Sequence, residues 1–194
     1  MGSYNPLVFV LGLVTAAGVS GVAYLLALAR GAEERALGQR YGPLFFALGV
    51  FALGGVAQLY WTQWAGRPMP QYTELFGVAT GLFAFMMVMA GFYLYRGLGL
   101  EALAWPAAFL GLFLLQGARA AWDFGLTRNP ALTALMWATA GLASLGILPF
   151  AFSRPEGRRV WAYLGALVLA LMALAAFLTG FLAYYGHIAE AVRR

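Results

Sequence analysis

Apolar runs long enough to cross a lipid bilayer follow one another along almost the whole of this sequence, with short polar segments between them. A helix needs roughly 20 apolar residues to span the hydrocarbon core. Six spans are predicted on that basis, at about 7–30, 43–65, 74–95, 104–123, 132–152 and 161–186. Inside hydrocarbon no water satisfies the backbone, so a spanning segment must close its own hydrogen bonds as a helix. The expected fold class is all-α: a polytopic transmembrane bundle of six helices, with residues 1–194 as a single transmembrane domain. A content of 63% hydrophobic and 10% charged residues excludes an ordinary water-soluble domain. The first run reads as a true span, because Met1–Asn5 carries no basic residue and the run is too long for a cleavable signal.

Orientation follows from the arginines. All 12 cationic residues are arginine, and seven lie in or beside three polar segments: Arg30, Arg35 and Arg40; Arg96; and Arg154, Arg158 and Arg159. The other side of a six-span topology holds Arg67, Arg128, Arg193 and Arg194. Positive residues are retained in the cytoplasm, so the chain is expected in the cell membrane as a multi-pass protein with both termini extracytoplasmic. Interfacial tryptophans mark the span limits: Trp105 and Trp161 at the inner face, Trp61, Trp64 and Trp122 at the outer one. The net charge of +5 then reflects topology and contact with anionic lipid, and nucleic acid is not an expected partner.

Absent residue types remove whole mechanisms. Without cysteine there is no thiol catalysis or iron–sulfur ligation, and one histidine cannot supply a multi-histidine zinc or bis-histidine haem site. Without lysine there is no Schiff base. No cofactor and no metal is expected. Arginine in place of lysine, with very few asparagines, points to a thermophilic source.

Internal similarity suggests a duplicated helical hairpin. Gly49-Val-Phe-Ala-Leu-Gly-Gly55 resembles Gly111-Leu-Phe-Leu-Leu-Gln-Gly117, and Pro70, Thr73 and Gly81 recur at the same spacings as Pro130, Thr133 and Gly141. The second and third spans would then repeat as the fourth and fifth, related by an axis along the membrane normal. Small residues spaced four apart, such as Gly77/Gly81 and Ala17/Gly21, allow helix backbones to approach closely.

Polar side chains gather in the outer halves of the spans. Gln58 and Trp61 close span two, Glu74 opens span three, Arg119, Asp123 and Trp122 end span four, and His187 ends span six. Gln116, Arg119 and Asp123 are spaced i, i+3, i+7 and share one helical face. Charged groups at membrane depth normally face the bundle interior and pair there. Arg119 is therefore expected to point inward, held by Asp123 or Glu74. The candidate ligand-binding residues are Arg119, Asp123, Glu74, Gln58, Trp61, Trp122 and His187. No catalytic residue is assigned. A metal set of His187, Glu74 and Asp123 is disfavoured because Arg119 beside it would repel a cation.

Gly18-Val-Ser-Gly21 resembles the GxSG of rhomboid intramembrane proteases. Ser20 lies past mid-membrane in span one, however, while His187 ends span six at the other face. A nucleophile and its base must meet at about 3 Å, so the protease reading is set aside. Pro70-Gln-Tyr-Thr-Glu-Leu-Phe-Gly77, following a span that ends in aromatics, resembles a poorly characterised family of small six-helix membrane proteins of archaea and thermophilic bacteria. That resemblance implies a six-helix membrane fold without an assigned activity. The function expected from the residues is binding or transport of a small polar or anionic molecule through a cavity open to the outer face. The alternatives are an accessory subunit of a larger, respiratory type of membrane complex, and an intramembrane enzyme using Glu74, Asp123 and His187. The expected partners are the lipid bilayer, a small-molecule ligand, and further copies or subunits.

Overall fold

A computed structural model describes residues 6–61 and 73–192, apart from the side chains of 187 and 190–192. Six helices account for nearly all of it: α1 (Pro6–Ala29), α2 (Glu34–Trp61), α3 (Ala79–Arg96), α4 (Glu101–Asp123), α5 (Pro130–Phe152) and α6 (Pro155–Val192). A π-helical segment, Thr73–Val78, leads into α3. All six helices, with that segment counted into the third, are long and apolar enough to cross a membrane. Two helices begin earlier than the hydropathy predicts. α2 starts at Glu34 rather than 43, and α6 at Pro155 rather than 161, because each carries a charged first turn that stays helical outside the apolar run.

The helices stand in a ring in chain order. α2 packs most closely on α3, α4 on α5, and α1 on α6; the seam between α3 and α4 is the most sparsely packed of the six. The residues that meet within α2–α3 and α1–α6 run in opposite order along the two helices, and a short turn reverses α4 into α5, so the ring consists of three antiparallel pairs. The most apolar 18-residue window of each helix is only 33–44% buried, which leaves a broad exposed apolar side on every one, compatible with contact to lipid. Phe51, Phe109 and Phe113 are among the large side chains on that side. Inside, Leu11, Leu59, Phe76, Leu114, Met136 and Met172 are fully buried in the half of the bundle nearest the termini.

Glycine sets the register of each pair. A side-chain carbon added at Gly49 would lie 2.8 Å from the Ala84 carbonyl oxygen and 2.7 Å from the Val88 nitrogen. Seven residues earlier, one at Gly42 would lie 2.7 Å from both the Gly91 carbonyl oxygen and the Tyr95 nitrogen. In α4–α5, Gly111 meets the Gly141 carbonyl oxygen at 2.7 Å and the Leu145 nitrogen at 3.1 Å in the same sense. In α1–α6, a carbon added at Gly18 would lie 2.8 Å from the Ala173 side chain and one at Gly180 3.2 Å from that of Leu11, again seven residues apart on each helix. Such close approach gains dispersion and weak Cα–H···O contacts where lipid supplies no hydrophobic drive.

The packing motif of α2–α3 thus recurs in α4–α5, but not in the alignment the sequence offered. Gly49 matches Gly111 as expected, while the residue in α3 that corresponds to Gly141 is Ala84 rather than Gly81. The Thr73/Thr133 and Gly81/Gly141 correspondence is displaced by three residues, close to one helical turn. Pro70, on which the alignment also leaned, lies outside the described residues.

Two turns at the arginine-rich end share one construction. Gly31 (φ 89°) and Gly97 (φ 66°) take the left-handed conformation that favours glycine. Around them Ala32 donates to the Ala27 carbonyl and Leu98 to the Tyr93 carbonyl, which caps α1 and α3 and reverses the chain within a few residues. The helices that follow therefore open with Glu34 and Glu101 at the same end of the bundle.

Candidate functional site

Among the described side chains, those singled out at the terminal end do not converge on an interior groove. Arg119 Nε donates to Asp123 Oδ2 at 3.2 Å, so the expected partner is found. The arginine side chain is nevertheless 74% exposed and that of Asp123 46%, which overturns the inward placement. α4 buries its small-residue stripe, Ala104, Ala107, Gly111, Ala118 and Ala121, and the face bearing Gln116, Arg119 and Asp123 turns outward. An exposed arginine near a helix end reaches polar surroundings along its own stem, so no interior partner is needed. Gln58 and Glu74 are exposed as well, the latter on the π-helical segment within electrostatic reach of Tyr60. Trp61 and Trp122 are 89% and 64% exposed, as suits an interfacial belt. Tyr72, Trp64 and the side chain of His187 lie outside the described residues.

The organised polar chemistry sits at the opposite, arginine-rich end. Its centre is Arg158, in the first turns of α6, whose side chain is only 27% exposed. Nη1 donates to Glu34 Oε2 at 3.2 Å, and Nη2 lies 3.5 Å from Glu101 Oε1. The same guanidinium donates from Nε to the Phe150 carbonyl at 3.3 Å and from Nη2 to the Ala151 carbonyl at 3.5 Å. One side chain on α6 therefore ties down the starts of α2 and α4 and the end of α5.

Local sequence explains why these groups meet. Ser153, with ψ 154°, breaks the helix ahead of Arg154-Pro155, and Pro155 opens α6. The break leaves the last carbonyls of α5 without partners in their own helix, and Arg158 supplies charged donors to two of them. Its guanidinium also lies over the Phe150 ring, 5.5 Å from the centroid. A planar fork of five donors suits this arrangement better than an ammonium would.

Beside this network lies a cavity of about 400 Å³, walled by α1, its turn into α2, and α6. Arg30, Arg158 and Arg159 line it with Glu34 as the one carboxylate, and Leu28, Ala29 and Ala162 form an apolar part of the wall. Glu34 and Glu101 engage Arg158, whereas Arg30 and Arg159 are exposed and have no ion-pair partner among the described residues. One helical turn from Leu28, Tyr24 is 4% exposed and packs edge-on against Tyr41 and Phe45. Its hydroxyl finds no hydrogen-bond partner among the described residues, yet it lies within electrostatic reach of Glu34 and Arg158. A buried hydroxyl left unpaired costs about 1–3 kcal/mol, so its place close to a cationic cavity is a chemical signal.

Reasoning from sequence missed Tyr24, Glu34, Glu101 and Arg158. Their signal was the presence of glutamates inside the arginine-rich segments. Topology alone calls for arginine there, and an acidic residue at the first turn of each following helix points to a partner. Residues 1–190 match the model of the DUF981 family, described as proteins of unknown function, and the chain belongs to that family. No curated protein and no solved structure matches it.

Proposed function

We propose that this DUF981 protein is a multi-pass membrane protein that binds a small anionic molecule in the arginine-lined cavity between α1 and α6. The supporting observation is the uneven charge of that cavity. Three arginines line it against one carboxylate, and of the three only Arg158 has an ion-pair partner among the described residues. Arg30 and Arg159 are then available to a phosphate or carboxylate, which an arginine fork grips through paired hydrogen bonds. Tyr24 would add a neutral donor from the apolar side. On the arginine count the cavity faces the cytoplasm, with the termini outside.

Binding is favoured over passage because large apolar side chains, Phe76, Leu114 and Met172 among them, are fully buried in the half nearest the termini. The test is thermal unfolding of the purified protein in mild detergent with inorganic phosphate, pyrophosphate or chloride at equal ionic strength. Phosphate or pyrophosphate should raise the midpoint above chloride, and Arg159→Gln should remove most of that rise. Equal midpoints in all three salts would overturn the reading. Cysteines placed at Ala36 and Ala189 test the orientation, since the native chain has no other thiol. Labelling of position 36 from outside the cell would reverse it.

A further inference from the structure

A second cavity, of about 110 Å³, lies in the sparse seam between α3 and α4. Phe83, Met86, Met87 and Ala90 wall it on α3, Leu103, Ala107 and Leu110 on α4, and Ile147 on α5. Its one polar side chain, Ser144, is spent on its own helix, donating to the Ala140 carbonyl at 3.0 Å. The space is therefore apolar, and unbranched methionines give its wall the freedom to adapt to a guest.

Leu100 connects the two cavities. It lines the apolar seam. It also packs against the cluster of Ala29, Phe150 and Ala162, of which Ala29 and Ala162 wall the arginine-lined cavity. Leu100 thus packs from the apolar cavity toward the wall of the cationic one. A molecule that fits both has an anionic head and a flexible hydrocarbon chain.

We infer that the ligand is an anionic amphiphile, a phosphate ester of a long alkyl or similar chain, with its head at Arg30, Arg158 and Arg159 and its chain beside Leu100 in the α3–α4 seam. The inference rests on the anion-binding reading and adds the substrate class. The head explains the arginines that no carboxylate neutralises, and the chain explains the loosest seam of the ring, which Leu100 borders. A free phosphate ester and a membrane phospholipid share this chemistry, and the experiment separates them.

Binding of inorganic phosphate, butyl phosphate and octyl phosphate is measured by titrating the detergent-solubilised protein, alongside Ala90→Phe, which fills the seam. The wild type should bind octyl phosphate at least tenfold more tightly than phosphate. Ala90→Phe should lose most of that gain while keeping the phosphate affinity, which also shows that it is folded; Ile147→Phe is the second filling variant. Partition of the ester into micelles is common to all variants, so their difference reports the cavity. Equal affinity for phosphate and octyl phosphate would overturn the amphiphile and leave the anion site standing. Absence of binding by every probe would overturn both. A chain-dependent gain that survives both filling variants would overturn the seam as its location. Native mass spectrometry then identifies the source: a retained phospholipid from the membrane extract, or exchange only with added soluble ester.

Discussion

At the terminal end of the bundle, Arg119 and Asp123 pair along a single helix with both side chains largely exposed. At the arginine-rich end, Arg158 gathers groups from three other helices while three-quarters hidden from solvent. Both are arginine–carboxylate contacts with one distance of 3.2 Å. They differ in what the contact holds together. An exposed i, i+4 pair joins residues the helix already holds, whereas the Arg158 network fixes the relative positions of separate chain segments. Geometry at the two atoms is thus a poor guide to consequence; the number of elements joined and the share of water excluded decide it.

Removing the Arg158 side chain should give the largest effect. Arg158→Ala leaves two carboxylates and the last carbonyls of α5 without their charged donor, and a loss of about 1–3 kcal/mol is expected, discounted for partial exposure. Unfolding in denaturant or by heat in detergent measures it; a loss below about 0.5 kcal/mol would erase the contrast between the two ends. Tyr24→Phe should act in the opposite sense. It removes an unpaired buried hydroxyl and keeps the ring contacts, so the unliganded protein gains about 1 kcal/mol while its response to phosphate shrinks. A less stable Phe variant would show that the hydroxyl is satisfied after all.

A double-mutant cycle between Arg158 and Glu34 should return a coupling of about 1 kcal/mol, against less than about 0.5 kcal/mol for Arg119 and Asp123. Equal couplings would mean that water screens both ends alike. The smallest effect is expected for Arg119→Ala, within about 0.5 kcal/mol of the wild type and indistinguishable from Arg128→Ala. A clear excess over Arg128→Ala would restore Arg119 to the interior.

The six helices were legible because run length and the demand for internal hydrogen bonds leave a chain in lipid almost no other choice. The site was less so. Gln116, Arg119 and Asp123 were correctly placed on one face of α4, but polar patterning does not say which face turns inward. In a helix that meets lipid on one side and other helices on the other, small residues mark the contact. The stripe Ala104, Ala107, Gly111, Ala118 and Ala121 carried that information. Arg158 escaped notice for a different reason. It is separated from Glu34 by 124 residues, and only closure of the ring between α1 and α6 brings them together. The recurrence at Gly49 and Gly111 was visible, whereas the three-residue displacement of their partners depends on how the hairpins settle.

The seven-residue recurrence of close backbone contacts makes α2 and α3 behave like two combs with matching gaps. Slide α3 along α2 by one turn, and Met87 or Val88 arrives where Gly42 and Gly49 admit only backbone; slide it by two turns, and the gaps meet again. Misassembled hairpins are therefore penalised at the first wrong tooth rather than by slow comparison of many similar packings. An insertion of three or four residues in the middle of α2 would jam the comb, whereas one of seven would only lengthen it. Spacing, more than composition, is what mutation must preserve in these helices.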